Sequence, residues 1–284
     1  MDIRLDNFMA FKNFHMNMSY PKKIVNSYIE EEFLKDHPNF RYKKVNIIMG
    51  ANASGKTSLG RMLMNIFNFM DKKEMEKITG VICDTHKKAT FSMDFVTYDG
   101  DFLYRIITQI APKTKEFFTS RSFSTLIIDV SNAFRVFSKT VIIQDGELTK
   151  ADTLSSGTKA GIAVAGMLTA IINGENGFYY CDEKFSYIHT DIEKAFLTLM
   201  IQCLKGNDQL FFTTHNTDIL DLPLPKHTFT FFKKDTNDDM ETIKCINVSD
   251  FLKRSTDSVK NAAENDLFSV APSMELIYEL EKLK

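Results

Sequence analysis

The period of the hydrophobic positions changes several times along the chain, and each change marks an element. Ile3 to Phe14 alternate loosely and predict a strand running into a turn. Residues 20–44 are polar and charged, carry Pro21 and Pro38, and read as an excursion before the next strand. Lys44 to Met49 is a short apolar run that stops at Gly50, the start of a glycine-bearing loop. From Lys56 to Met70 the apolar residues Leu59, Met62, Leu63, Ile66, Phe67 and Met70 recur at helical spacing. Residues 89–110 switch to period two. Phe91, Met93 and Phe95 lie on one side of Asp99-Gly100, and Phe102, Tyr104 and Ile106 on the other, a hairpin pattern. A second Asp-Gly, at 145 and 146, follows Val141-Ile142-Ile143.

Further on, residues 158–172 predict a helix, Gly177 to Cys181 a buried strand, Asp191 to Leu204 a helix, and Leu210 to Thr213 another buried strand. Thr228 to Phe232 and Thr242 to Val248 suggest a hairpin around Asn237 to Asp239, and Met274 to Leu283 a final helix. The sum is an α/β fold: a parallel αβ core with an antiparallel lobe inserted in its middle.

Composition narrows this picture little. The 284 residues suit one large α/β domain, and 44% hydrophobic with 25% charged residues is ordinary for a globular chain and argues against disorder. A net charge of −2 leaves nucleic acid open as a partner, because a basic patch can hide in a neutral total. Cys83, Cys181, Cys203 and Cys245 lie far apart without CxxC spacing, which favours idle thiols in a reducing, cytoplasmic setting. The N-terminal residues carry acids and no apolar core of signal-peptide length, and no apolar stretch approaches the about 18 residues that span a bilayer. Direct membrane insertion is therefore not expected, and any work at a membrane needs a partner.

Candidate chemistry begins at Gly50-Ala51-Asn52-Ala53-Ser54-Gly55-Lys56-Thr57, which fits G-x-x-x-x-G-K-[ST]. Such a loop turns backbone N–H groups toward an anion, and the helix that follows adds its positive end. Lys56 is placed for the β and γ phosphates of ATP and the Thr57 hydroxyl for Mg²⁺, with Ser58 completing the loop. The pattern also occurs by chance, but here an apolar strand precedes it and an amphipathic helix follows. A second signal is Phe178-Tyr179-Tyr180-Cys181-Asp182-Glu183, a buried strand ending on two acids. Asp182 is placed to hold Mg²⁺ and Glu183 to polarise an attacking water. A third is Leu154-Ser155-Ser156-Gly157-Thr158-Lys159 ahead of a helix. It is either an ordinary N-cap or a second anion site, and one chain has no need of two γ-phosphate sites. As an anion site it would serve the nucleotide of a second copy.

With these motifs in this order, the sequence resembles the ABC-type ATPase heads of the SMC and RecF group. It is most similar to the ATP-binding proteins related to the overcoming-lysogenization-defect (OLD) proteins of bacterial phage defence. The resemblance covers nearly the whole chain. It implies a single domain over 1–284 with a P-loop NTPase core of ABC-ATPase type. Residues 1–80 would be the N-terminal strands and P-loop part, 81–150 an antiparallel β lobe, and 151–284 the helical signature lobe with the remaining motifs. Gly50 to Thr57 resembles Walker A, Leu154 to Lys159 the signature that acts in trans, and Phe178 to Glu183 Walker B. Ser186-Tyr187-Ile188-His189 falls where the D-loop lies, with His189 in place of the transporters' Asp; its other reading is a turn before the next helix. Thr213-Thr214-His215-Asn216 resembles the switch-histidine loop, which makes His215 catalytic beside Glu183 and Lys56. Gln144 resembles the glutamine that joins Mg²⁺ to the lobe, and reads equally as a solvent-facing hairpin residue.

What the resemblance implies is an ATPase whose two copies meet head to head on ATP and Mg²⁺, acting as a regulatory or assembly subunit for a separate effector such as a nuclease or toxin. The segment between Thr57 and Leu154 carries hairpins rather than sustained heptads, so no coiled-coil arm is expected. The segment after His215 reads as a hairpin and helices rather than a Toprim nuclease, and Asp238 and Asp239 as turn residues. The alternatives are a RecF-like DNA-repair ATPase on duplex DNA, a transporter nucleotide-binding subunit and a non-hydrolysing ATP-gated scaffold.

Overall fold

In the computed structural model, the described residues are 2–24, 27–96, 103–110, 117–119, 142–144, 147–149, 156–174, 177–186, 188–237, 240–254 and 256–268. The strands are β1 (Asp2–Asp6), β2 (Phe14–Asn17), β3 (Phe33–Leu34), β4 (His37–Arg41), β5 (Val45–Met49), β6 (Ala89–Val96), β7 (Leu103–Ile110) and β8 (Phe117–Thr119). They continue with β9 (Ile142–Gln144), β10 (Glu147–Thr149), β11 (Phe178–Asp182), β12 (Gln209–Thr213), β13 (Phe229–Asn237) and β14 (Met240–Asn247). The helices are α1 (Lys56–Lys72), α2 (Met75–Thr79), α3 (Ser156–Asn173), α4 (Thr190–Cys203), α5 (Val248–Phe251) and α6 (Val259–Glu264).

The apolar runs at 45–49, 178–182 and 209–213 become neighbouring strands of one mixed sheet, ordered β11-β12-β5-β13-β14. β11, β12, β5 and β13 pair in parallel, and β14 closes the edge antiparallel to β13. Runs without alternation suit strands covered on both faces, and the packing shows two such faces. Ile48, Phe211 and Phe178 point into one core with Leu59, Met62 and Ile66 of α1. Val45, Ile47, Met49, Leu210 and Phe212 point into a second core with Val164 of α3 and Leu197 of α4.

The other large sheet is antiparallel and ordered β2-β1-β6-β7-β8. Ile3, Leu5, Phe91 and Met93 turn inward from it and share the first core with α1. The expected hairpin at 89–110 is present as β6 and β7, paired from Ala89–Ile110 to Val96–Leu103. The strands at 2–17 are hydrogen-bonded neighbours of that hairpin through β1 and β6. Periodicity says which residues face inward but not which strand pairs with which, so this adjacency is invisible in the sequence. The α/β fold with an antiparallel lobe is as expected.

Some elements differ from expectation. The strand expected over Ile3 to Phe14 is two strands, because Asn7, Met9 and Asn13 adopt positive φ and fold the chain back. Asn7 fixes that turn: its Nδ2 donates to the Asp84 carbonyl at 2.8 Å and its Oδ1 accepts from the Asp84 N–H at 2.9 Å. The excursion at 20–44 contains the small hairpin β3–β4. The short helices α2, α5 and α6 were also unforeseen. Asp99-Gly100, Asp145-Gly146, Asp238, Asp239 and the helix expected at 274–283 lie outside the described residues. All four cysteines are free. Burial pushes the Cys181 thiol up to about 12, so it packs as a small hydrophobe. Among the described residues no helix is long and apolar enough to cross a membrane.

One contact locks α1 to the sheet. Tyr180 of β11 donates its phenol proton to the Lys56 carbonyl at 2.6 Å. Burial, then the nearby Asp182, push its pKa well up, so the phenol stays neutral and a donor. The ring lies against Gly60, where an added Cβ would stand 2.6 Å from a ring carbon. Alanine is the better helix former by about 1 kcal/mol, yet the ring is tethered and cannot yield. Gly60→Ala is therefore expected to destabilise the protein by about 1–3 kcal/mol, read as a lower urea midpoint, and Tyr180→Phe with Gly60→Ala should fare no better.

Candidate functional site

The register of the parallel strands gathers the motif residues. Asp182 pairs with Thr213, and Thr213 with Ile48, so β11, β12 and β5 end in one row. Glu183, the segment from Thr214 to Asn216, and the loop from Gly50 to Ser58 all leave the sheet at that edge, the carboxyl end of its parallel strands. Open α/β sheets bind ligands there.

The loop after β5 is tightly wound. Gly50, Ala53 and Gly55 have φ of 154°, 61° and 95°. At Gly50 a Cβ would stand 2.5 Å from the Phe232 carbonyl oxygen and 2.7 Å from Ser54 Oγ, so only glycine fits. Phe11 and Ile243 close over Gly55 from the N-terminal turn and from β14. α1 starts at Lys56, with Gly55 as its N-cap and no side chain satisfying its first N–H groups. Lys56 is 4% exposed. Its ammonium donates to the Gly50 carbonyl at 2.6 Å and the Ala51 carbonyl at 3.1 Å, and lies 3.2 Å from Glu183 Oε1.

Glu183 has φ 45°, in the left-handed region, a conformation that costs on the order of 1 kcal/mol for such a residue. Its N–H is held by Thr213 through both the carbonyl at 3.3 Å and Oγ1 at 3.0 Å. The same Thr213 hydroxyl donates to Asp182 Oδ1 at 2.9 Å. One threonine thus orients both acids: Asp182 on the strand, and Glu183 turned toward Lys56. Ser186 bonds back to the Glu183 carbonyl at 2.9 Å. His189 is the N-cap of α4, its Nδ1 accepting from the Asp191 N–H at 3.3 Å. His215 is exposed at the end of β12.

Glu193 is a residue that sequence reasoning missed. It is buried on α4, yet its Oε1 accepts from Thr214 Oγ1 at 2.8 Å and its Oε2 from Asn216 Nδ2 at 2.7 Å, on either side of His215. A signal existed: Glu193, Leu197 and Met200 share the core-facing stripe of α4, where an acid is out of place.

The signature segment is described only in part. Leu154 and Ser155 lie outside the described residues; α3 begins at Ser156, and Gly157, Thr158 and Lys159 form its first turn with side chains not described. Gln144 ends β9, its side chain also outside the described residues.

The donors present suit a triphosphate. Ser54 Oγ is buried with no protein partner, and Lys56 offers a desolvated cation over free helical N–H groups. Among the described residues no three His, Cys, Asp or Glu are grouped to hold a metal alone. The Thr57 hydroxyl, which is exposed, and the Asp182 carboxylate are the hard oxygen donors that Mg²⁺ takes when phosphate completes its shell.

No known family profile matches the chain. Over 207 residues it is 24% identical to an uncharacterized ABC transporter ATP-binding protein/permease of Acanthamoeba polyphaga mimivirus, covering 69% of this chain and 37% of that one. The chain thus spans little more than a third of the curated relative it matches. Among solved structures it is similar to an SMC head bound to the C-winged helix domain of ScpA, with TM-score 0.54, 14% identity, and coverage of 88% of this chain and 99% of that one. It is also similar to the Pyrococcus furiosus Smc head with an extended coiled coil bound to the C-terminal domain of ScpA, with TM-score 0.53, 11% identity, and coverage of 88% and 96%. At these identities the likeness is one of fold, and the fold is that of an SMC head.

Proposed function

We propose that this chain, as a single ABC-type ATPase domain over residues 1–284, binds and hydrolyses ATP with Mg²⁺ and that two copies close over the nucleotide. The observation that carries this reading is the meeting of Lys56 and Glu183 at 3.2 Å on the sheet edge that also holds Asp182 and His215. MgATP supplies the phosphoanhydride and the electrophilic phosphorus. Gly50 to Ser58 bind the phosphates through backbone N–H groups, Ser54 and Lys56, and Thr57 with Asp182 hold the metal. Gln144 joins them as a metal ligand from the β lobe. Lys56 exchanges its two carbonyl partners and Glu183 for phosphate oxygens. Glu183, released from that pair and still held by Thr213, accepts the proton of the attacking water. His215 hydrogen-bonds the water or the phosphate.

Leu154 to Lys159 of one copy complete the site of the other, with Ser155 facing the phosphate held by Lys56, and Ser186 and His189 lie at the same seam. Support comes from the position of Ser156 to Lys159 in the first turn of a long helix, a place that favours anions. We further read the protein as a regulatory or assembly subunit for a separate effector, a nuclease or toxin in OLD-like phage defence. That both solved SMC heads carry a ScpA segment supports a protein partner here.

Glu183→Gln is expected to lower kcat by about 100-fold or more while raising the mass of the protein in solution with ATP to that of a dimer. No growth in mass in that variant sinks the two-copy reading, and undiminished turnover sinks the role of Glu183. Lys56→Ala should weaken ATP binding by about tenfold to a hundredfold, as loss of a charge-assisted bond would, measured by calorimetry. Ser155→Arg should bind ATP as the wild type does and stay monomeric; a dimer forming in that variant shows that the turn does not face a second copy.

A further inference from the structure

Glu193 is a carboxylate where α4 should be apolar. It shares the buried stripe with Leu197 and Met200 and is 3% exposed. An acid in a first turn can complement the helix dipole, but it can do so from solvent, as Asp191 does with its side chain 83% exposed. Burial of Glu193 therefore needs another reason, because a buried charge is tolerated only when its oxygens are bonded.

Both oxygens are bonded, and both bonds go to residues flanking His215. Oε1 takes the Thr214 hydroxyl proton at 2.8 Å, and Oε2 takes an Asn216 amide proton at 2.7 Å. Because the Thr214 hydroxyl donates to Glu193, its oxygen is turned to accept the Asn216 N–H at 3.0 Å. The Asn216 side chain is fully used. Its Nδ2 also donates to Thr190 Oγ1 at 3.2 Å, and its Oδ1 accepts from the Asp218 N–H at 3.0 Å. The Thr214 N–H is tied to the Ile48 carbonyl of β5 at 3.1 Å. His215 is thus the one exposed residue in a segment held on both sides by a single carboxylate. That carboxylate sits in the first turn of the helix that His189 caps.

We propose that Glu193 is a positioning residue for His215: it fixes the backbone on either side of the histidine and locks that loop to the start of α4, so that displacement of the first turn of α4 is carried to His215. This rests on the ATPase reading. The polarity of the network supplies a test. Glu193→Gln leaves one acceptor for two donors, so its amide nitrogen opposes either the Thr214 hydroxyl, which then loses its acceptor, or the Asn216 amide, which cannot flip without losing its bond to Asp218. Adding Asn216→Asp restores an acceptor opposite the new donor and keeps the acceptor for Asp218.

Glu193→Gln is expected to lower kcat about tenfold or more, as loss of a bond to a charged group would, with KM for ATP within about twofold. It should also speed hydrogen exchange at the Asn216 amide. The pair Glu193→Gln with Asn216→Asp should return kcat to within about threefold of wild type and restore that protection. A single variant with unchanged kcat overturns the proposal, as does a pair that recovers folding stability but not kcat. If the wild type shows no turnover, or Glu183→Gln does not reduce it, the ATPase reading falls instead. Exchange at Asn216 then decides the strap, and unchanged protection in Glu193→Gln overturns it.

Discussion

A parallel sheet can gather chemistry from distant parts of a chain only if its strands end in step. Here three strands do, in the row Asp182, Thr213 and Ile48. The row is set by burial more than by the motifs. β5 and β12 are covered on both faces, and a slip of one residue would exchange the side chains of the two cores. Ile48 and Phe211 would then face the helices α3 and α4, and Ile47 and Phe212 would face α1. The hydrophobic pattern therefore fixes the register, and the register fixes where the chain leaves β5, β11 and β12. The motifs inherit their proximity from this packing, to which Phe178, Tyr179 and Cys181 of the β11 motif themselves contribute.

Given that proximity, the next constraint is how to keep polar groups near a sheet edge from water. Lys56, Asn46, Thr213, Thr214, Thr230 and Glu193 are all buried, and all six act in pairs or chains of hydrogen bonds. Asn46 and Thr230 bond across β5 and β13 at 2.7 Å, behind the loop. Thr213 serves Asp182 and Glu183 together, so moving one acid disturbs the other. Ser54 Oγ, on the loop itself, is buried with no protein partner and lies under the Gly50 turn. An unpaired buried donor on a loop whose N–H groups face an open edge marks a place where a ligand atom is expected.

How much of this could be read from the sequence depended on the kind of signal. α1 was legible because Leu59, Met62, Leu63 and Ile66 repeat at its period, and β5 and β12 because short apolar runs between glycine and polar residues leave few other forms. The loop at 50–57 was legible as a motif, and its strand and helix context as periodicity. β2 was available too: Phe14, Met16 and Met18 alternate with His15 and Asn17. It was lost because the turn before it uses positive φ at Asn7, Met9 and Asn13 rather than glycine. β3 and β4 were not legible, since His37 to Arg41 is largely exposed and carries no alternation. Pairing of β1 with β6 joins residues far apart in the chain, and no local pattern encodes it. Thr213 was read as the end of a buried strand and the start of the histidine motif but not as the residue that orients both acids, because that role arises from a neighbour on another strand.

The same reasoning explains why the loop carrying His215 needs a strap at all. Strand β12 ends at Thr213, and beyond it the backbone no longer has a ladder to hold it. The segment that follows is short and turns at once into a 3-10 helix at Thr217–Asp221, capped by Asn216. A residue at such a point is normally free to move with the loop. Here the cap is also a ligand of the buried Glu193, and the residue before His215 is bonded to both β5 and Glu193. Freedom at His215 is thereby reduced to its own side chain, and any larger movement has to be shared with the first turn of α4. A histidine exposed to solvent but held this firmly in its backbone is suited to respond to a group brought against that edge, rather than to wander over it.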